Sequence, residues 1–435
     1  MPTRRPWTRV QAYGREPVDA IVALMGPICG KPCGAGGATG TVLQTAWHDR
    51  EEFMTAPLRV AIIGASRRSS YMYLPLLRAL RDEVELVGVW ARTGESALRL
   101  GAEAGVPGYT DMGKMMRDVA PQIGIVSVAY AANGSVGLQA VEHGLHVLLE
   151  TPIAHELSEA DAIIAGAAAR GLKIEVAEQY HRYPREQIKL ALIASGVFGR
   201  VYSAFNDFCC HGYHGVSVMR SYLGFDVKPV QVTGAVHNYP LAPHRSWLSG
   251  KREGRSEEQE HGIVEFEGDR LGMFHWTSLG YDCPLRWWQS SRFLAEKGMG
   301  ITVSRGDERQ DWLTLLSPDG EVPHFMAIER RRSSPGGDIL EAMIARTGDA
   351  DIPVVRWENP MASFQRRAGV QWTDDQIAVA SCLMSLVNAV CTGGEPSYGP
   401  LQARLDQELI LALRKSAQRG GQPVRLPLDP GAPAS

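Results

Sequence analysis

The chain has 435 residues, long for a single core and ample for two domains of ordinary size. Hydrophobic residues make up 44% and charged residues 21%, the balance of a soluble globular protein, and a formal net charge of −3 gives no field directed at nucleic acid or an anionic membrane. No apolar run approaches the ~20 residues that span a bilayer, and the 7 cysteines follow no regular framework, as expected of reduced thiols in a cytoplasmic protein.

Residues 1–56 read as an extension without a fold of its own, rich in Pro, Gly and Arg and turn-prone over 34–40. Arg4 and Arg5 invite comparison with a twin-arginine export signal. The apolar stretch that follows is short and broken by Pro27, so export is not expected. Met54 would make a natural start. Beyond it, apolar strand runs at 58–63, 84–90, 123–129, 146–149 and 173–177 alternate with helical patterns at 73–80, 95–104, 135–143 and 157–169. Strands separated by helices imply right-handed crossovers and a doubly wound parallel sheet over 57–177.

The rhythm then changes. After a helix at 186–195, strand patterns follow at 201–208, 227–236, 262–266, 272–276, 293–296 and 300–304, several joined by turns such as Glu267-Gly268-Asp269 and Pro318-Asp319-Gly320. The pattern predicts an α/β domain over 178–428 with a large, mixed and mostly antiparallel open sheet, before a short tail at 429–435. Stretches 247–260 and 330–338, dense in charge, Ser and Gly, read as surface loops; helices close the domain at 374–390 and 400–417.

The first strand runs into Gly64-Ala65-Ser66-Arg67-Arg68-Ser69, where a dinucleotide fold carries G-x-G-x-x-G. Gly64 keeps the tight turn; Ser66 and Ser69 replace the other glycines and add hydroxyl donors. The second strand ends in Trp90-Ala91-Arg92-Thr93, without the carboxylate that holds the ribose hydroxyls of NAD. Arg92 and Thr93, with Arg67 and Arg68 from the neighbouring loop, can instead hold a 2′-phosphate, so NADP is expected ahead of NAD. Tyr130, just beyond the third strand pattern, is placed to meet the nicotinamide.

Several ordered motifs add a resemblance. Residues 140–152 (AVEHGLHVLLETP) resemble the A-x-x-x-G-x-H-V-x-x-E-K-P segment of the glucose–fructose oxidoreductase, inositol dehydrogenase and MocA family. Residues 175–184 (EVAEQYHRYP) resemble its crossing into the second domain, and 214–224 (HGVSVMRSYLG) its H-x-x-D-x-x-R-Y-L-x-G helix. Matches to its closing elements follow at 392–396 and 414–426. The resemblance implies a Rossmann domain, a second α/β domain whose sheet often makes a dimer or tetramer contact, and oxidation of a secondary alcohol, or reduction of a ketone, on a sugar, cyclitol or polyol. Glu150 and Thr151 fall in the cofactor segment.

The chain departs from that pattern at proton-handling positions. Thr151 stands for the lysine of E-K-P, Cys210 for the aspartate before the histidine, and Ser217 for the one after it; His214 is retained. His214 is therefore the expected general acid/base, with His211 or Tyr213 orienting substrate and Asp207 setting a histidine tautomer. His181 is a second candidate for the cleft, and Trp287 and Trp288 read as core or interface residues. No metal site is expected, because Cys209 and Cys210 on a strand point to opposite faces. The alternatives are a non-catalytic nucleotide- or sugar-binding sensor and a redox-neutral enzyme that retains its nicotinamide.

Overall fold

The computed structural model describes residues 56–428, apart from short segments at 209–211, 247–248, 279–282, 284–287, 306–307, 318 and 334–336. Two sheets organise it. The first has six parallel strands: β1 Leu58–Ile63, β2 Val84–Trp90, β3 Gly108–Tyr109, β4 Ile123–Val126, β5 His146–Leu149 and β6 Ile174–Val176. Their order, β3-β2-β1-β4-β5-β6, is that of a dinucleotide-binding doubly wound sheet. Val60–Ile63 and Leu148–Leu149 are fully buried because helices cover both faces, which is why these strands read as continuous apolar runs. The crossover helices are α1 Leu74–Ala79, α2 Gly94–Ala104, α3 Met112–Val119, α4 Asn133–Glu142 and α5 Leu157–Ala168. Local chemistry fixes their starts. Thr93 caps α2, Asp111 caps α3, and Glu156 with Glu159 forms a capping box on α5.

After α6 Pro184–Ala194, strand β7 Val201–Phe208 enters the second sheet and α7 Gly212–Leu223 lies across it. The eleven strands of this sheet run β16-β15-β14-β13-β12-β11-β7-β10-β9-β8-β17, antiparallel except where β10 pairs β7. They are β8 Pro229–Arg245, β9 Arg252–Phe266, β10 Arg270–Thr277, β11 Trp288–Ala295, β12 Gly298–Arg305, β13 Glu308–Leu316, β14 Pro323–Arg332, β15 Leu340–Arg346, β16 Val354–Glu358 and β17 Val424–Arg425. Three helices complete the chain: α8 Ala362–Ala368, α9 Asp374–Thr392 and α10 Pro400–Gln418.

Two expectations are corrected. Most of 247–260 is the start of β9, paired with β8 from Arg245 against Arg252 onward, and 330–332 completes β14. The outer half of the β8–β9 hairpin is exposed on both faces, so its charge pattern carries no apolar alternation to mark a strand. By length and mean hydropathy α9 could cross a bilayer, but it is a core helix with Ile377, Leu383, Leu386 and Val387 buried. One hydrophobic cluster runs through both sheets, joining Val60 and Ile62 to Met219, Phe293 and Leu383.

Candidate nucleotide and active site

A parallel sheet presents its ligand crevice at the carboxyl ends of its strands. In this chain those ends carry Gly64 after β1, Ala91–Thr93 after β2, Ser127 after β4, Glu150 and Thr151 after β5, and Glu178 after β6. Gly64 has φ +113°, and a Cβ there would meet Ser127 O at 2.2 Å, so the turn demands glycine. Ser66 Oγ lies 2.8 Å from Ser127 Oγ and accepts the Ser69 N–H at 3.1 Å, while Ser69 Oγ donates to Gly64 O at 2.8 Å. Serines thus brace a loop that glycines would leave free, and the cradle fits a dinucleotide phosphate beside a following helical segment. That segment begins at 67 and includes a π-helical turn over Ser69–Tyr73.

Arg67 and Arg92 are exposed at this edge, and Thr93, besides capping α2, lies 2.9 Å from Ser96 Oγ. Arg99, which sequence reasoning missed, reaches Ala65 O at 3.2 Å. Arg68 turns away from them. Its Nε pairs with Glu150, so the expected contribution of Arg68 to a 2′-phosphate site is withdrawn. Tyr73 Oη donates to the same carboxylate at 2.6 Å, and burial together with Glu150 holds that phenol protonated. Tyr130 packs edge-on against His155 with centroids 5.1 Å apart and remains partly exposed. Asn133 donates to Glu150 O and Pro152 O, both at 2.6 Å, fixing the segment that carries Glu150 and Thr151.

Around His214 the two sheets meet. Thr151 Oγ1 donates to Tyr213 Oη at 3.0 Å, tying the residue in the family's lysine position to α7. His214 Nδ1 lies 2.6 Å from Glu178 Oε2, and both side chains are buried. Burial, and after it the Arg68 charge, push the imidazole down to about 3; burial pushes the Glu178 carboxyl up to about 8. The pair is therefore neutral overall near pH 7 and holds one exchangeable proton between its two groups. Tyr180 lies over the imidazole at 4.2 Å between centroids, and its backbone N–H donates to Glu178 Oε1 at 3.1 Å. The carboxylate absent at Cys210 is thus supplied from the end of β6, a partner that residue spacing does not reveal.

Other expected site residues lie elsewhere. Asp207 pairs with His275 Nδ1 at 2.8 Å, not with His214. The register places Asp207 with Phe205 and Met273 on the face opposite Asn206 and Phe274, which α7 covers; one residue along a strand reverses the side. His181 is buried between Phe225 and Tyr398, with centroids at 5.1 and 5.2 Å, and packs the interior instead of lining the cleft. His211, Cys209, Cys210 and Trp287 lie outside the described residues, as does the side chain of Trp288. Among the described residues no group of three His, Cys, Asp or Glu side chains is arranged for a metal.

A doubly wound sheet with a nucleotide cradle, followed by a large open sheet, defines the class as a dinucleotide-binding two-sheet protein. Residues 58–178 match the glucose–fructose oxidoreductase, inositol dehydrogenase and MocA family model, described as an oxidoreductase family with an NAD-binding Rossmann fold. An uncharacterized oxidoreductase of Schizosaccharomyces pombe is 26% identical over 123 residues, 28% of this chain and 33% of that protein. The matched stretch spans about a third to two-fifths of the length of the curated relatives it matches. An NAD-binding oxidoreductase from Klebsiella pneumoniae shares the fold with a TM-score of 0.66 at 15% identity, covering 86% of this chain and 100% of that one. A levoglucosan dehydrogenase, solved with NADH and levoglucosan, gives a TM-score of 0.64 at 14% identity with the same coverages.

Proposed function

We propose that the protein is an NAD(P)-dependent oxidoreductase, favouring NADP, that interconverts a secondary alcohol and a ketone on a sugar, cyclitol or related polyol. The observation that carries this reading is the buried Glu178–His214 pair at the strand edge that also bears the Gly64 cradle. A bound nicotinamide would supply or accept the hydride. The protein's own task is then to move the hydroxyl proton. With Nδ1 held by Glu178, proton exchange with substrate falls to His214 Nε2, and the carboxylate stabilises the imidazolium that forms. The sugar bound by the levoglucosan dehydrogenase supports the same substrate class.

The absence of a carboxylate at 91–94 and the exposed Arg92 support NADP. Calorimetric titration of nucleotide-stripped protein with NADPH and NADH tests this. Arg92→Ala should weaken NADPH roughly tenfold or more, the scale of a charge-assisted phosphate contact, and leave NADH nearly unchanged. Failure to bind either nucleotide, oxidised or reduced, would refute the reading; binding without turnover would make the protein a sensor.

A homo-oligomer is part of the proposal. The second sheet turns Ile263, Trp312, Leu316 and Phe325 outward on the face opposite its helices, each at least 43% exposed. Exposed apolar side chains on one sheet face suit a contact between copies of the chain. Trp312→Glu should convert a dimer or tetramer to a smaller species in light scattering; an unchanged mass would remove this face from the assembly.

A further inference from the structure

When the hydroxyl proton of a carbinol leaves ahead of the hydride, its oxygen carries negative charge, and such charge is stabilised by a fixed cation in a water-poor site. Thr151 provides none, and its hydroxyl is engaged with Tyr213. Arg68 has the chemistry required. Its Nε is held by Glu150, its Nη1 lies 3.4 Å from Tyr71 Oη, and its Nη2 is buried with no hydrogen-bond partner among the described residues. Glu150 is oriented in turn by Tyr73, so the guanidinium sits in a braced frame. That frame stands at the carboxyl ends of β1 and β5, the edge to which Thr151 and Tyr213 bring His214.

We infer that Arg68 is the cation of the reacting centre: its Nη2 donates to the substrate oxygen while His214 exchanges the proton with it. This rests on the oxidoreductase reading above. With a bound NADP+ to accept the hydride, alcohol oxidation would pass the O–H proton to the His214–Glu178 pair as the C–O bond becomes C=O, and reduction would reverse each transfer. Arg68 gives up no proton, because Glu150, Tyr73 and Asp375 more than offset its burial and keep it charged. Arg68 is held by Glu150, whose chain neighbour Thr151 bonds Tyr213, the neighbour of His214, so the two groups share one edge of the site. Among the described residues, Glu178 and Tyr180 from the chain after β6 and Tyr213 from its own helix lie against the His214 ring.

The test uses Arg68→Ala and Arg68→Lys in the full-length protein. The first readout is the His214 imidazole titration by NMR without nucleotide. It should move to higher pH in Arg68→Ala and stay near wild type in Arg68→Lys, which keeps the charge if the alanine variant fails to fold. The second is steady-state oxidation with NADP of whichever of D-glucose, myo-inositol and levoglucosan the wild type turns over. Arg68→Ala should lose roughly 10²–10³ in kcat with a much smaller change in KM, as for other oxyanion donors, and methylguanidine should restore part of it. An unmoved titration, or a loss confined to nucleotide affinity with kcat unchanged at saturation, overturns the assignment. A wild type that binds no nucleotide overturns the underlying function instead, and the titration shift, measured without nucleotide, tells the two failures apart.

Discussion

Replacing His214 by asparagine should lower kcat for alcohol oxidation by roughly 10²–10⁴, the range over which a positioned acid/base acts, while nucleotide affinity stays near wild type. The pH dependence gives this a signature. At neutral pH the Glu178–His214 pair already holds its proton, and a second would leave an unpaired positive charge in a buried site. The pair becomes an effective base only after losing that proton, which the raised Glu178 sets at about 8. Oxidation should therefore rise as pH passes through about 8, and ketone reduction, which needs the proton, should fall over the same interval. Glu178→Gln should abolish that inflection, because the amide does not titrate. A profile unchanged in Glu178→Gln, or a His214→Asn variant within tenfold of wild type, would show that proton transfer lies elsewhere.

Stability should respond most to Arg220. This side chain is fully buried, donates to Asp406 Oδ1 at 2.5 Å and to the carbonyls of Phe225 and Gln402, and lies over the Phe225 ring. It locks α7, which carries Tyr213 and His214, onto α10. Arg220→Met should cost about 3–5 kcal/mol, because Asp406 would remain buried without its cation. Denaturant unfolding measures it. Adding Asp406→Leu should return a substantial part of the loss, since two apolar groups carry no desolvation penalty. A single variant within about 1 kcal/mol of wild type would mean that the ion pair merely breaks even and that α7 is held by its apolar face, including Val216, Met219 and Tyr222.

The first sheet was legible because its information is local. Buried parallel strands are short apolar runs, helices show a 3.6-residue period, and Gly64 marks a turn where a Cβ would strike Ser127. The motif at 214–224 likewise located His214, and its arginine proves to be the buried strut Arg220. The hairpin of β8 and β9 escaped because its outer half is wet on both sides, so no alternation records it. Asp207 was expected to set a histidine's tautomer, and that it meets His275 was not legible because a run of eight strand residues does not say which of its two faces a helix will cover.

The chemistry of the site was decided by distance in space. Glu178 reaches His214 across 36 residues and Arg68 reaches Glu150 across 82, pairings that no local period encodes. By itself the sequence determined that a nucleotide cradle and a retained histidine exist in one chain. Only the tertiary structure decided which carboxylate pairs with that histidine and which one holds Arg68, because burial and proximity set the charge of these groups and both arise only on folding.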